Sequence, residues 1–152
     1  MLGCGRGEEV YPLWDLPSRP CLVVFPGFSV STAWAYRAVD RPLRLTQTAK
    51  SPNIVGFGAR SHFPLNGWGP AENDFEKVVF ARWPELARLK RLLIRAGAES
   101  ASLTGSGSSV FAVFDSSRRL LSATKSLFPQ AGWQTFRTRT LSRAEFDRLM
   151  LV

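Results

Sequence analysis

The sequence predicts an α+β fold in which helices pack on one face of an antiparallel sheet. The first indication is size and composition, since 152 residues with 45% apolar content suit one domain with a full core. The second is that short apolar runs of strand length alternate with longer stretches whose apolar residues recur at helical spacing. After residue 20 the predicted order is β, short α, loop, α, α, β, β, α, β, α, which suits a ferredoxin-like layer.

Composition and charge exclude several classes of protein. No run of about 18 apolar residues occurs, so we expect no membrane span. The net charge is +8, from 20 Lys and Arg against 12 Asp and Glu, which would help to attract an anion. The basic residues are dispersed and form no long block, so we expect no nucleic-acid arm. Cys4 and Cys21 lack CxxC spacing, which favours reduced thiols and a cytoplasmic location.

The first twenty residues combine a glycine-rich turn, one short strand and a connector. Glycines alternate with other residues over 3–7, and a strand is predicted over 9–13. Pro12, Pro17 and Pro20 then break the chain around Trp14, which indicates a connector. A globular domain rarely begins with a glycine-rich turn that leads directly into a strand, so we expect these residues to belong to the middle of a larger protein.

A buried strand and a short helix open the main domain. Residues 21–25 are a continuous apolar run of strand length, and Pro26-Gly27 ends it. A short helix is predicted over 33–39, and residues just before it offer N-cap side chains. The candidate cap residues are Ser29, Ser31 and Thr32. Residues 41–70 carry Pro, Gly and Asn throughout, without a sustained period, and are predicted to form a long loop.

Two helices follow this loop. Asn73 and Glu76 have the spacing of a capping box, which predicts a helix start at Asn73. Pro84 suits the first turn of the next helix, and Gly97 suits its C-terminal end. Apolar residues between them recur at helical spacing and are expected to face the core. These residues are Leu86, Leu89, Leu92, Leu93 and Ala96.

A glycine turn between two apolar runs is the most informative stretch. Leu103–Phe114 reads LTGSGSSVFAVF, which predicts a strand, a tight turn and a second strand. Gly105 and Gly107 tolerate positive φ and leave backbone N–H groups uncovered. Such a turn, with its serine hydroxyls, can hold an oxyanion or brace a neighbouring phosphate loop. An ordinary hairpin turn is the alternative.

The C-terminal part predicts one more strand between two helices. Asp115 can cap a helix over 116–127, and a strand is predicted over 132–140. Ser142 and Glu145 then form a second capping-box pattern.

Catalytic constellations are absent from the residues themselves. The one histidine, His62, falls in the predicted loop without a nucleophile placed around it. Asp74 and Glu76 are two positions apart, on different faces of a helix, and capping explains both better than acid–base chemistry. No GxxxxGK[ST] phosphate loop occurs. We therefore assign no catalytic and no metal-binding residue.

Four separated stretches, in chain order, resemble one family. They are GRGE at 5–8, PGFSVST at 26–32, NDFE at 73–76 and TGSGSSVF at 104–111. They resemble the GxGE turn, the PG-x-x-(V/I)-(S/P)-T segment, the NDLE helix start and the third glycine motif of 4-diphosphocytidyl-2-C-methyl-D-erythritol kinases. These enzymes are members of the GHMP kinase superfamily.

The resemblance implies a two-domain enzyme of which this chain is the C-terminal part. The family's enzymes transfer the γ-phosphate of ATP, with Mg²⁺, to the 2-hydroxyl of a cytidine-diphosphate substrate in non-mevalonate isoprenoid biosynthesis. The family's C-terminal domain is ferredoxin-like, which agrees with the predicted element order. Residues 1–20 would then be a remnant of the N-terminal domain, including one strand, with its linker, and 21–152 the C-terminal domain.

The resemblance also implies site residues. The residues that would support the phosphate-binding loop are Gly105, Ser106, Gly107 and Ser108. The residues that would bind the substrate are Pro26, Gly27, Thr32 and Tyr36. Tyr36 matches an aromatic residue that stacks on cytosine, and packing on the core is its alternative. Thr32 would lie near the substrate phosphates, and helix capping is its alternative.

The family's phosphate loop, catalytic Asp and catalytic Lys have no counterpart in this sequence. Since phosphoryl transfer works by positioning and charge stabilisation, we expect this chain alone to be inactive and to bind neither ATP nor Mg²⁺. Its expected partners are the substrate and an N-terminal half, and neither a membrane nor nucleic acid. The alternative is a free-standing ferredoxin-like module that binds a nucleotide or RNA, and another GHMP kinase with a different small substrate stays open.

Overall fold

The computed structural model describes residues 2–4, 9–11, 17–40, 73–127 and 132–150. These residues form a small two-stranded sheet and a four-stranded sheet with helices. The strands are β1 (Leu2–Cys4), β2 (Glu9–Tyr11), β3 (Pro20–Phe25), β4 (Ser100–Leu103), β5 (Val110–Val113) and β6 (Gln134–Arg139). The helices are α1 (Thr32–Asp40), α2 (Phe75–Arg82), α3 (Pro84–Arg95), α4 (Ser117–Leu127) and α5 (Arg143–Met150).

The main sheet has the order β4-β5-β3-β6, and each neighbouring pair is antiparallel. Strand β3 lies in the interior of the sheet, where Cys21 faces Val113 of β5 on one side and Thr138 of β6 on the other. The predicted α+β fold, with its ferredoxin-like antiparallel sheet, is confirmed. Strands β1 and β2 pair with each other in the separate sheet, and the predicted domain division at residue 20 stays a prediction.

The core lies between the main sheet and the helices α3 and α4. Successive side chains of a strand point to opposite faces, so Leu22 and Val24 of β3 face the same side. Both are buried in one apolar cluster with leucines of α3 and with Leu120 of α4. Leu86, Leu89 and Leu93 of α3 are fully buried. Each such side chain contributes about 1.5–3 kcal/mol relative to an exposed position.

The opposite face of the sheet is also buried at its centre. Cys21 and Val113 lie there as register partners, with 7% and 0% of their surfaces exposed. Burial raises the pKa of the Cys21 thiol above its ordinary value, and a backbone hydrogen bond to Ala112 acts against this shift. A buried thiol with a raised pKa is a poor nucleophile, so Cys21 is a packing residue.

The end of α3 follows the glycine signal in the sequence. Gly97 has φ +95°, a conformation that favours glycine. Its N–H donates to the carbonyl of Ile94 at 3.0 Å, and the N–H of Ala98 donates to that of Leu93 at 3.1 Å. This pair of bonds is the Schellman motif, which satisfies the last carbonyls of a helix. The predicted helix end at Gly97 is confirmed.

Several finer predictions are wrong. Leu2–Cys4 is a strand rather than part of a turn, because it pairs with Glu9–Tyr11. Leu92 is 36% exposed, since its position on α3 falls between the buried leucines and the solvent face. The cap of α4 is Ser116, whose hydroxyl accepts from the N–H of Arg119. Asp115 instead forms an ion pair with Arg119 at 3.2 Å.

The predicted loop over 41–70, together with His62, lies outside the described residues. Within the described ranges, no helix is both long enough and apolar enough to cross a membrane.

The capping box at the start of α5 is confirmed. The N–H of Ser142 donates to Oε2 of Glu145 at 3.0 Å, and the N–H of Glu145 donates to Oγ of Ser142 at 3.2 Å. The backbone hydrogen bond from Ser142 is the main cause that lowers the pKa of Glu145 below its ordinary value of 4.5, and the Ser142 hydroxyl adds to it. The bond therefore favours the ionised carboxylate.

We expect Glu145 to make the stability of α5 pH-dependent. Because its folded-state pKa is lowered, its contribution is present above the unfolded-state pKa and is lost as the pH falls through the folded-state pKa. The variant Glu145→Gln keeps an acceptor oxygen without the titration. The helical circular dichroism of parent and variant, compared from pH 7 to pH 3, should converge at the acid end. A difference that is constant across this range would contradict the prediction.

Candidate functional site

The glycine turn between β4 and β5 is a compact, internally bonded loop. The N–H of Thr104 donates to the carbonyl of Ser109 at 2.8 Å, and the N–H of Gly107 donates to that of Thr104 at 2.9 Å. Gly105 and Gly107 have φ values of +52° and +92°. The predicted strand–turn–strand is confirmed, and both glycines adopt the positive φ that the sequence indicates.

The loop between β3 and α1 contacts this turn through two hydroxyls. Thr32 Oγ1 and Ser106 Oγ share a hydrogen bond of 2.9 Å. The hydroxyl of Ser108, which is buried, donates to the carbonyl of Phe28. Thr32 and Ser106, which are 74 positions apart in the chain, therefore bring the PGFSVST and TGSGSSVF motifs into contact.

Thr32 is the first residue of α1 and not its cap. The hydroxyl of Ser31 accepts from the N–H of Trp34 at 3.3 Å, which is the capping contact. The helix-capping alternative for Thr32 is therefore wrong. Its hydroxyl bonds to the glycine turn because that side chain points out of the helix start.

The start of α2 contacts the turn from a second side. The amide nitrogen Nδ2 of Asn73 donates to the carbonyls of Leu103 and Gly105, both at 2.9 Å. The amide oxygen Oδ1 accepts from the N–H of Phe75 at 3.0 Å. One side chain thus closes the first turn of α2 and holds the last residue of β4 and the first glycine of the turn.

Glu76 corrects the sequence prediction. The predicted capping box would join its carboxylate to the backbone of Asn73. Instead, Oε1 accepts from the N–H of Leu103 at 3.0 Å and from the hydroxyl of Ser102 at 2.9 Å. The capping prediction for Asp74 is also wrong, because it makes no side-chain cap bond and lies 3.9 Å from Lys77.

Two aromatic side chains continue the site along α1. Tyr36 lies one helical turn after Thr32, so both occupy the same face of α1. Tyr36 is 58% exposed, which argues against the alternative that it packs in the core. The rings of Tyr36 and Phe75 meet in a T-shaped contact, with centroids 5.0 Å apart and planes at 86°. This contact fixes one side of the tyrosine ring and leaves surface free for a ligand.

Contacts with Trp83 stabilise the loop between β3 and α1, which leads into the helix that carries Thr32 and Tyr36. Trp34 of α1 meets Trp83, at the junction of α2 and α3, edge to face with centroids 4.9 Å apart. Phe28 stacks on Trp83 at 6.0 Å. Such contacts contribute about 0.5–1.5 kcal/mol each beyond their buried area. They join the β3–α1 loop to the junction of α2 and α3.

Pro26 and Gly27 form the sharp exit from β3. Pro26 is buried, and Gly27 is exposed with φ +87°. A Cβ at Gly27 would lie 3.1 Å from the carbonyl oxygen of Gly132, so the glycine permits a close backbone approach. These two residues direct the loop towards the turn. Their assignment to substrate binding stays a prediction.

The described residues fit an anion better than a metal ion. A Cβ built on Gly105 would meet no heavy atom within 4 Å, so this side of the turn is open. Backbone at a glycine turn and a serine hydroxyl are groups that bind phosphate oxygens. In the same ranges, no group of three His, Cys, Asp or Glu side chains could hold a metal ion. The open side of the turn therefore offers polar groups to an anionic oxygen.

A comparison with protein families matches this region. Residues 64–130 fit the family model described as GHMP kinases C terminal. The chain carries a GHMP kinase C-terminal domain. The match includes the start of α2, both strands around the glycine turn and α4. Two of the four short motifs, at 73–76 and 104–111, lie within this match, and a relative that covers 97% of the chain confirms the resemblance drawn from all four.

Similar proteins agree with this assignment. The chain is 38% identical over 149 residues to a 4-diphosphocytidyl-2-C-methyl-D-erythritol kinase of Solibacter usitatus (strain Ellin6076), covering 97% of the chain and 46% of the relative. It is 39% identical over 117 residues to the enzyme of that name from Thermodesulfovibrio yellowstonii (strain ATCC 51303 / DSM 11347 / YP87), covering 73% and 40%. The chain spans less than half the length of these curated relatives.

A solved structure gives the same result for the fold. The crystal structure of a 4-(cytidine 5'-diphospho)-2C-methyl-D-erythritol kinase superposes with a TM-score of 0.61 at 29% identity. The superposition covers 89% of this chain and 47% of that one. The fold described above is therefore shared with about half of a solved enzyme.

Sequence reasoning singled out the glycine turn, Thr32 and Tyr36, whose binding roles stay predictions, but it missed the contacts of Asn73 and Glu76 with β4. The NDFE stretch carried a signal, since it resembles a family motif, yet its side chains were assigned to helix capping. A capping box is recognised only from two residues that are three positions apart, so the spacing of Asn73 and Glu76 indicated nothing beyond local capping. Only the fold shows that these side chains point across to Leu103 and Gly105, about 30 positions away.

Proposed function

We propose that this chain supplies the C-terminal part of an ATP-dependent kinase. The proposed reaction phosphorylates the 2-hydroxyl of 4-diphosphocytidyl-2-C-methyl-D-erythritol in non-mevalonate isoprenoid biosynthesis. The names of the relatives support this substrate class. The single observation that carries the proposal is the 2.9 Å bond between Thr32 and Ser106, because it joins the substrate-segment motif to the phosphate-turn motif.

Each residue of the site has a binding role in this proposal. The turn from Gly105 to Ser108 braces the loop that holds the ATP phosphates, and its glycines permit close approach. Thr32 lies between this turn and the substrate phosphates. Tyr36 offers its exposed ring to the cytosine base, with Phe75 against its side. ATP supplies the phosphoryl group, and these residues orient the two molecules.

The proposal includes a partner, the N-terminal half of the enzyme. Phosphoryl transfer depends on positioning and charge stabilisation, which the family assigns to a phosphate loop, an Asp and a Lys upstream of this domain. We therefore propose that the chain is inactive alone and active when joined to that half. The described residues offer binding groups but no general base placed at the turn.

The experiment is a kinase assay on two samples. One is the 152-residue chain, and the other is a fusion in which the chain replaces the matching part of the Solibacter relative. ADP release that requires both ATP and the cytidylyl substrate is expected from the fusion alone. Turnover by the isolated chain would contradict the inactivity, and an inactive but folded fusion would contradict the kinase assignment. Salt-sensitive RNA binding by the chain would favour the binding-module alternative.

Tyr36 gives a sharper test of substrate class in the fusion. Base stacking on an aromatic ring contributes about 1–3 kcal/mol, so Tyr36→Ala should raise the KM for the cytidylyl substrate by about 5–150-fold. The KM for ATP should change little. Tyr36→Phe is the matched control, because it keeps the ring and removes only the hydroxyl. If both variants kept the parental KM, the stacking role would be wrong.

A further inference from the structure

The edge of the main sheet at β4 is closed by two side chains at the start of α2, Glu76 in its first turn and Asn73 just before it. Strand β4 lies at the end of the sheet order, and Leu103 pairs with Val110 on its inner side. On the outer side, the N–H of Leu103 donates to Glu76 and its carbonyl accepts from Asn73. Backbone groups on a sheet edge normally face solvent or another strand. Here two side chains three positions apart satisfy both groups of one residue.

The carboxylate of Glu76 is anchored to a third element. Its Oε2 lies 2.6 Å from Nζ of Lys90 on α3, and the two side chains are only 14% and 25% exposed. The carboxylate therefore accepts from Lys90, Ser102 and Leu103. A partly buried carboxylate with three donors is held more firmly than one in a surface ion pair.

Asn73 carries this constraint into the glycine turn. The same amide group that donates to Leu103 also donates to the carbonyl of Gly105, at 2.9 Å in each case. The turn is thus fixed relative to β4, while Thr32 fixes it relative to α1. The carbonyl of Gly105 and the N–H of Ser106 belong to one planar peptide group, so the hydrogen bond to this carbonyl also fixes the direction of that N–H. The orientation of the backbone around Ser106 therefore depends on Asn73.

We infer that Asn73 and Glu76 are positioning residues for the nucleotide, through what we term the Asn73–Glu76 clamp: their side-chain bonds to Leu103 and Gly105. This inference rests on the proposed function, because it assigns the glycine turn to the phosphates of ATP. The clamp bonds directly to the turn, whereas it reaches Tyr36 only through Phe75, whose N–H donates to Asn73. It should therefore affect ATP more strongly than the cytidylyl substrate.

The chain itself tests the structural half of the inference. Asn73→Asp keeps the oxygen that accepts from Phe75 but removes both donors to the turn. Amide exchange measured by NMR should rise at least about tenfold at Leu103 and Gly107, and much less in β3. The matched control is Asp74→Asn, whose side chain is 91% exposed. Unchanged exchange at the turn, or an equal rise throughout the sheet, would overturn the clamp.

The fusion enzyme tests the functional half. Asn73→Asp should raise the KM for ATP by about tenfold or more, with a much smaller change in the KM for the cytidylyl substrate. Glu76→Gln should have a smaller effect, because its amide oxygen still accepts from Leu103 while the charge pair with Lys90 is lost. Parental KM for ATP in Asn73→Asp, or equal changes for both substrates, would overturn the positioning role. An inactive fusion whose chain shows the expected exchange pattern would count against the proposed function and support the clamp.

Discussion

Phe114→Ala is expected to lower the free energy of unfolding by about 3–5 kcal/mol. Phe114 follows β5, has no exposed surface and belongs to the main apolar cluster. Its backbone N–H donates to the carbonyl of Pro20 at 2.9 Å, so the residue also joins β5 to the start of β3. The substitution keeps this backbone bond and removes only the ring. Urea unfolding followed by circular dichroism measures the loss.

The matched control is Phe136→Ala on β6. This ring is 54% exposed and is absent from the main cluster, so its removal should cost much less than that of Phe114. Both substitutions delete the same atoms, and the difference between them reports burial. Equal losses would contradict the placement of the core on the helix-covered face of the sheet.

Gly107→Val is expected to destabilise the chain by about 2–5 kcal/mol and to displace the glycine turn. Two costs combine at this position. At φ +92° an L side chain is strained, and a β-branched one more so. A Cβ there would also lie 3.1 Å and 3.3 Å from the two terminal methyl carbons of Leu103, which is itself buried. Leu103 packs in the core and has little room to move.

Gly105→Ala separates strain from crowding. Gly105 has φ +52°, and a Cβ there would meet no heavy atom within 4 Å. Only the left-handed backbone penalty of about 1–2 kcal/mol is therefore expected. Thermal unfolding of both variants gives the comparison, and chemical shifts of Thr104 and Ser109 report the turn itself. If Gly105→Ala were the more damaging substitution, the crowding at Gly107 would be refuted.

The fold could largely be predicted from local patterns. The apolar run at Cys21–Phe25 and the helical spacing of Leu86, Leu89 and Leu93 each express burial directly in the sequence. Gly97 marked a helix end because few other residues adopt its φ. The same reasoning wrongly predicted Leu92 to be buried, because an apolar side chain next to a buried stripe on a helix can still face solvent.

The site was predictable only where one residue type has one dominant use. Glycines at a tight turn are such a case. For Tyr36 the sequence left stacking on a base and packing on the core equally open, and only its exposure in the fold argues against the core. Asn73 and Glu76 have two good uses, local capping and a long-range bond to an edge strand. Their spacing is the same in both. The packing of α2 beside β4 brings both side chains to the strand, where Asn73 keeps its local bond to Phe75 and Glu76 makes no local one. No short stretch of sequence encodes this packing.

The order of strands in the main sheet has a consequence for biosynthesis. Strand β3 pairs with β5 and β6, which leave the ribosome long after it does. Ser18 and Thr140, whose contact closes this arrangement, are 122 positions apart. At a translation rate of about 5–20 residues per second, β3 waits several seconds for its neighbours. An unpaired apolar strand is prone to aggregate during this time. We therefore expect the nascent chain to expose β3 as a chaperone-binding segment until β6 has emerged.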